Sequence, residues 1–218
     1  YPKLNVKIGA THAGISVGED GASNQCCEDI ALMRTIPGMV IINPADDIEA
    51  IQAVHAAADF DGPEYMRFGR LAVPRIFDEN YKFEIGKGVY LKEGTDVTII
   101  ATGLMVERAL QAAEMLAAEG ISAAVINMAT IKPLDRDIII DAAKKTGAIV
   151  TAEEHSVIGG LGSAVAEVVC ETMPVPVMKV GVEDTFGKSG PALELLEIFG
   201  LNAENICQKA KNAVEAKK

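Results

Sequence analysis

Four side chains of this sequence are of types that handle an oxygen-rich ligand: His12, Asp20, Asn24 and Arg70. The first three lie in one stretch, Thr11 to Asp29, which also holds Gly14, Gly18 and Gly21. An imidazole at position 12 donates to or accepts from a hydroxyl when neutral, and pairs with a phosphate when protonated. The Asp20 carboxylate accepts from a hydroxyl and so reads its stereochemistry; as part of Asp-Gly it also suits a turn. Asn24 adds an amide. Such a lining reads a polyhydroxylated ligand by hydrogen bonds rather than by apolar contact. Arg67 and Arg70 flank Phe68-Gly69. Three residues apart on an extended run, they face opposite sides, so at most one enters a given cleft. Two readings stand for Arg70, past the glycine: a fork for a phosphate, or a surface ion pair.

These residues need elements to hold them. Val6–Ala10, Met39–Asn43 and Glu64–Phe68 read as buried strands. Helical patterns over Gln25–Arg34 and Asp46–Asp59 alternate with them, the second carrying Ile48, Ile51, Val54 and Ala58 at helical period. In a parallel sheet, the loop leaving a strand's carboxyl end is where ligands bind, which is the position of His12 to Asn24. Three strands make a thin sheet, so this block reads as the tail of a larger domain. The rhythm breaks over residues 71 to 95, and residues 76–95 are assigned as a linker. It resumes with strands Val97–Ala101, Ala123–Asn127, Ile149–Ala152 and Val177–Val180. A stripe of Val106, Leu110, Ala113 and Ala117 ends at Gly120. Asp135 caps a helix bearing Ile138, Ile139 and Ala142 that ends at Gly147. Gly160–Glu171 is a third helix, and Asn202 caps a last one with Ile206, Ala210 and Ala213 inward. The expected fold is α/β: two three-layer domains with mostly parallel sheets, 1–75 incomplete and 96–218 complete.

Composition narrows the classes. The 218 residues carry a net charge of −11 with no basic stripe, which argues against nucleic acid. No apolar run reaches the ~18 residues of a membrane-spanning helix, and no signal-peptide pattern opens the chain, so a cytoplasmic location is expected. The chain starts at Tyr1 almost on a strand, as a truncated or processed product would. Cys26, Cys27, Cys170 and Cys207 match no zinc spacing and read as reduced thiols packed as small hydrophobes. No acid-plus-amide cluster suits a magnesium diphosphate. His55, in an Ala-rich helix, reads as structural; His155, after Glu153-Glu154, as a residue holding a loop or a subunit contact. Gly159-Gly160-Leu161-Gly162 lacks the spacing of the nucleotide motifs and reads as close helix–strand packing.

Taken together, Thr11-His12-Ala-Gly, Gly18-Glu19-Asp20-Gly21-Ala22-Ser23 and Glu28-Asp29 resemble the pyrimidine-domain signature of transketolase. Ile131-Lys132-Pro133-Leu134-Asp135, Glu153-Glu154-His155, Gly159-Gly160-Leu161-Gly162 and Phe186-Gly187-Lys188-Ser189-Gly190 resemble its C-terminal domain. The resemblance runs over nearly the whole chain and matches the C-terminal chain of a split enzyme. It implies a thiamine-diphosphate-enzyme fold and transfer of a two-carbon ketol unit between sugar phosphates. It also implies thiamine diphosphate and a divalent metal (Mg or Ca) held mainly by an N-terminal subunit, in a homodimer or heterotetramer. His12 then matches a histidine near the substrate, Asp20 the aspartate sensing donor hydroxyl configuration, and Arg70 the arginine holding the acceptor phosphate. Asn24 stands where many members have histidine and an animal-like branch has an amide. The family's catalytic glutamate and ring-cupping aromatics lie upstream of this stretch, so the chain alone is expected to be inactive. Related alternatives are the β subunit of a 2-oxo-acid dehydrogenase and a deoxyxylulose-phosphate synthase. A non-catalytic dimerisation or regulatory module is the alternative of another class.

Overall fold

The computed structural model describes residues 1–217. In chain order the first block runs β1 (Lys7–Ala10), α1 (Asp29–Arg34), β2 (Val40–Ile42), α2 (Asp47–Asp59) and β3 (Glu64–Arg67). The second runs β4 (Val89–Lys92), β5 (Val97–Ala101), α3 (Met105–Ala118), β6 (Ala123–Asn127), β7 (Thr130–Lys132), α4 (Arg136–Thr146), β8 (Ile149–Ser156), α5 (Leu161–Thr172), β9 (Val177–Val182), α6 (Ala192–Ile198) and α7 (Ala203–Glu215). A 3₁₀ stretch, Ile15–Asp20, crosses the loop between β1 and α1.

Two sheets result. The second has order β4-β6-β5-β8-β9, with only β4 antiparallel to its neighbour. Its central strands are apolar without alternation because both faces are covered. On one face Val97, Ile99, Val125 and Val150 pack against Val106, Leu116, Ile206 and Ala210 of α3 and α7. On the other, Ile100, Ile126 and Ile149 meet Ile139, Leu161 and Val165 of α4 and α5. Asp135 and Asn202 cap α4 and α7 by accepting from Ile138 N–H (3.2 Å) and Asn205 N–H (2.9 Å). Gly147 ends α4 in the left-handed conformation (φ 68°), which a side chain would strain.

The first sheet has order β1-β3-β2-β7, parallel except for β7. Ile30, Ile41 and Tyr65 fill one face; Val40, Ile42 and Met66 pack on α2 through Ala53 and Ala57. Among the described residues the β1 edge carries no further strand, and Val6 and Ile8 are exposed there.

Several expectations change. Residues 89–92, within the assigned linker, form the edge strand β4. The three residues of β7 come from the second block of sequence yet pair with β2, sewing the two sheets together. Ile51, Val54 and Ala58 are exposed; the inward face of α2 is Glu49, Ala53 and Ala57, where alanines allow close approach to the sheet. His55 is exposed rather than packed. Only Cys27 and Cys207 are buried, and burial pushes the Cys27 thiol up to about 12.

Candidate active site

The chain leaves β1 at Ala10 and turns at once. His12 has φ 61°, a left-handed conformation uncommon outside glycine, and is exposed with its Nδ1 2.9 Å from Thr11 Oγ1. Because Ala10 is in register with Arg67, the carboxyl ends of β1 and β3 are neighbours. Ala13 N–H donates to Phe68 O at 3.2 Å and Gly14 N–H to Cys26 O at 2.9 Å, fixing the loop's first turn to both flanks. Gly14 is required there: it has φ 82°, and a Cβ would run into the Glu154 carboxyl group.

Arg70 reaches back over the 3₁₀ stretch. Its Nη1 donates to Val17 O at 2.6 Å and lies 3.7 Å from Glu19 Oε2. With the Arg70 side chain 43% exposed, that ion pair contributes little, and Nε and Nη2 have no partner among the described residues. Asn24 Nδ2 donates to Asp20 O at 2.8 Å, closing the same loop. The loop rests on the second block: Gln25 Nε2 donates to Ile15 O (3.2 Å) and to Lys188 O (2.7 Å). Arg70, Asp20 and Asn24 thus share one loop, and His12 stands on the strand end next to the one that leads to Arg70.

Beneath this loop lies a polar network that sequence reading did not assemble. Arg67 is 2% exposed and Asp29 4%. Arg67 Nε donates to Asp29 Oδ2 at 2.8 Å, as does Tyr65 Oη, also at 2.8 Å. Arg67 Nη2 donates to Cys26 O (3.1 Å) and Glu154 O (2.9 Å). Burial alone would raise the Asp29 pKa; the Arg67 charge and these hydrogen bonds outweigh it and hold the carboxyl below its usual value. Glu154 Oε1 accepts from Ser16 N–H at 2.6 Å, so the second block grips the start of the 3₁₀ stretch. His155 is buried, and burial, then Arg67, lower its pKa. As a neutral ring it donates from Nδ1 to Ser156 O (2.8 Å) and accepts at Nε2 from Ala31 N–H (3.3 Å).

Glu153 explains the Gly159–Gly162 motif. Its oxygens accept from Leu161 N–H (2.7 Å) and Gly162 N–H (2.8 Å), so the protein's own carboxyl occupies the amino end of α5. A Cβ at Gly160 would collide with that carboxyl. Burial pushes Glu153 up to about 7 from 4.5. Between those values the folded carboxyl keeps a proton that the unfolded chain has lost. Its stabilising contribution is therefore complete below pH 4.5 and lost as pH rises through about 7. Glu153→Gln cannot titrate. The stability of the native protein relative to this variant should fall with a slope approaching about 1.4 kcal/mol per pH unit across that window. Urea unfolding of both from pH 4.5 to 8 reads it, and parallel curves would reject it.

Among the described residues, no three His, Cys, Asp or Glu side chains are grouped to hold a metal ion.

Known proteins place these features in context. The family model described as "Transketolase, pyrimidine binding domain" matches residues 1–75, and that described as "Transketolase, C-terminal domain" matches 86–206. A Methanocaldococcus jannaschii protein, described provisionally as a transketolase C-terminal section, is 51% identical over 212 residues, covering 96% of this chain and 66% of its own length. A 6-deoxy-6-sulfo-D-fructose transketolase subunit of Clostridium sp. (strain MSTE9) is 46% identical over 100% of this chain and 67% of its own. A solved split-gene transketolase, described as an inactive β4 tetramer, superposes with TM-score 0.94 at 54% identity, over 100% of this chain and 70% of that one. The chain thus spans about two thirds of the length of these three relatives.

Proposed function

The chain belongs to the transketolase family, as a C-terminal section of a transketolase-type enzyme, and on that premise we propose that it takes part in moving a two-carbon ketol unit between sugar phosphates. The observation that carries this reading is the joining of Arg70 to the loop of Asp20 and Asn24, beside the strand end of His12. A phosphorylated carbohydrate needs an anion anchor and hydroxyl readers on one edge, and these four provide them.

In this proposal Arg70 keeps Nη1 on Val17 O and presents Nε and Nη2 to the acceptor phosphate. The Asp20 carboxylate accepts from a donor hydroxyl. Asn24 steadies the Asp20 backbone and offers its amide oxygen. His12, exposed and held off the usual backbone region, donates to or accepts from a substrate oxygen and is the one residue assigned a catalytic part. Thiamine diphosphate, when bound, supplies the electron sink for the carbon–carbon bond step. We assign the cofactor and its divalent metal mainly to an N-terminal partner chain. The assembly is a dimer or heterotetramer working in pentose phosphate metabolism in the cytoplasm.

Co-expression of the full-length protein with its N-terminal partner tests this. Ketol transfer between sugar phosphates is expected when both chains and thiamine diphosphate are present, and not from this chain alone. A folded, cofactor-loaded complex without ketol transfer would overturn the reading.

A further inference from the structure

A cleft lies between the two sheets; His12, Asp20, Asn24 and Arg70 do not line it, although Gly69 and Leu71, on either side of Arg70, do. It encloses about 550 Å³, and Asn43, Arg67, Leu71, Val73, Gly103 and Leu104 are among its walls. Its location follows from topology. β5 sits in the middle of the second sheet, between β6 and β8. The chain leaves β5 through α3 toward β6 on one side and later returns to β8 on the other. The crevice outside the carboxyl ends of β5 and β8 is where such sheets take ligands. Gly103 and Leu104 follow β5, and Glu154 lies toward the end of β8.

The first sheet supplies the opposite wall. Ile42 is in register with Met66, so Asn43 and Arg67, one residue on, are lateral neighbours on the same face. Asn43 is 4% exposed, yet its carboxamide has no hydrogen-bond partner among the described residues. It lies over Gly103 (φ 58°), where a Cβ would stand 2.8 Å from Nδ2. Arg67, equally buried, commits Nε and Nη2 but leaves Nη1 without a partner. α3 is 14 residues long and has no side-chain cap, and the N–H groups of Gly103 and Leu104 have no partner among the described residues.

The acids near the cleft are already engaged. Asp46 accepts from Glu49, Ile76 and Phe77 N–H, Asp47 pairs with Arg75, and Glu154 holds Ser16. What remains uncommitted is a guanidinium N–H, a carboxamide and the N–H groups of Gly103 and Leu104 just before α3, a set that favours an anion with several oxygens. The volume exceeds a bare anion, and Leu71, Val73 and Leu104 line the rest. We propose that this interdomain cleft binds a small phosphomonoester, its phosphate set between Asn43, Arg67 and the amino end of α3. The site is independent of the ketol-transfer reading and uses none of its residues.

Titration calorimetry on the full-length protein, with glycerol 3-phosphate, inorganic phosphate and glycerate as probes, tests it. Glycerol 3-phosphate should bind, and the carboxylate glycerate more weakly. Asn43→Ala should weaken glycerol 3-phosphate by about ten- to a hundredfold, the range for a hydrogen bond to a charged group. Asn43→Asp places a carboxylate where the phosphate would sit, so it should abolish binding while melting no lower than the native protein. Arg70→Ala should leave this binding in place. Three results would each overturn the site: no binding to the native protein, equal affinity in the Asn43 variants, or loss in Arg70→Ala alone. Glycerate binding as tightly as glycerol 3-phosphate would overturn the phosphate assignment.

Discussion

Arg67→Met should lower stability by about 3–5 kcal/mol, the cost of removing one partner of a buried ion pair. Methionine roughly fills the space, so the loss is electrostatic rather than a cavity. Asp29 would keep its buried negative charge with Tyr65 Oη as the remaining side-chain donor, and the carbonyls of Cys26 and Glu154 would lose theirs. Against a typical domain stability of about 5–15 kcal/mol the change is large. The Asp29 carboxyl is held below 3.8 in the folded protein, so it contributes stability above that pH and loses it as pH falls through the lowered value. In the variant that pull is gone and a protonated Asp29 is the better-tolerated form. The gap between native and variant should therefore narrow in acid. Asp29→Asn combined with Arg67→Met should recover part of the loss, since no uncompensated charge remains. Urea midpoints at pH 7 and pH 4 for the native protein, the single variant and the double variant measure this. A single variant within about 1 kcal/mol of the native protein would show that the buried pair contributes no more than an exposed one.

Arg70→Ala should act on catalysis and hardly on folding. Its guanidinium is partly exposed, and it loses one hydrogen bond, to Val17 O. On the proposed function, the reconstituted enzyme should lose about ten- to a hundredfold in kcat/KM for phosphorylated acceptors, equivalent to the ~1.5–3 kcal/mol of charge-assisted hydrogen bonds. The loss should appear mainly in KM, because the phosphate is held alike in ground and transition states. Unphosphorylated acceptors should be nearly unaffected. Arg70→Lys should fall between, keeping the charge without the planar fork. An equal loss for both acceptor types would mean that Arg70 serves only to hold the 3₁₀ stretch through Val17.

The amino-acid sequence by itself determined the four parallel strands of the second sheet. Val97–Ala101 and Ala123–Asn127 are apolar at every turn of the pleat or nearly so, which only a strand buried on both faces requires. It also determined helix ends, where Asp46, Asp135 and Asn202 each accept from an N–H three residues on. The polar loop was legible for the same reason: His12, Asp20 and Asn24 lie close together in the chain, between glycines. Each of these is a local signal, written within a few residues.

Packing decided what local signals do not carry. β4 is a half-buried edge and β7 only three residues long, and neither has the length or pattern to declare itself. The inward face of α2 follows its alanines rather than its isoleucines because the sheet comes close. Ser16 and Glu154 are 138 residues apart, and Arg67 and Glu154 are 87 apart. A carboxylate or guanidinium has the same ionisable chemistry anywhere along the chain; burial and a partner brought from far away change its pKa and its role. The Arg67–Glu154 contact under the loop and the cleft between Asn43 and Gly103 therefore exist only once the two sheets are docked.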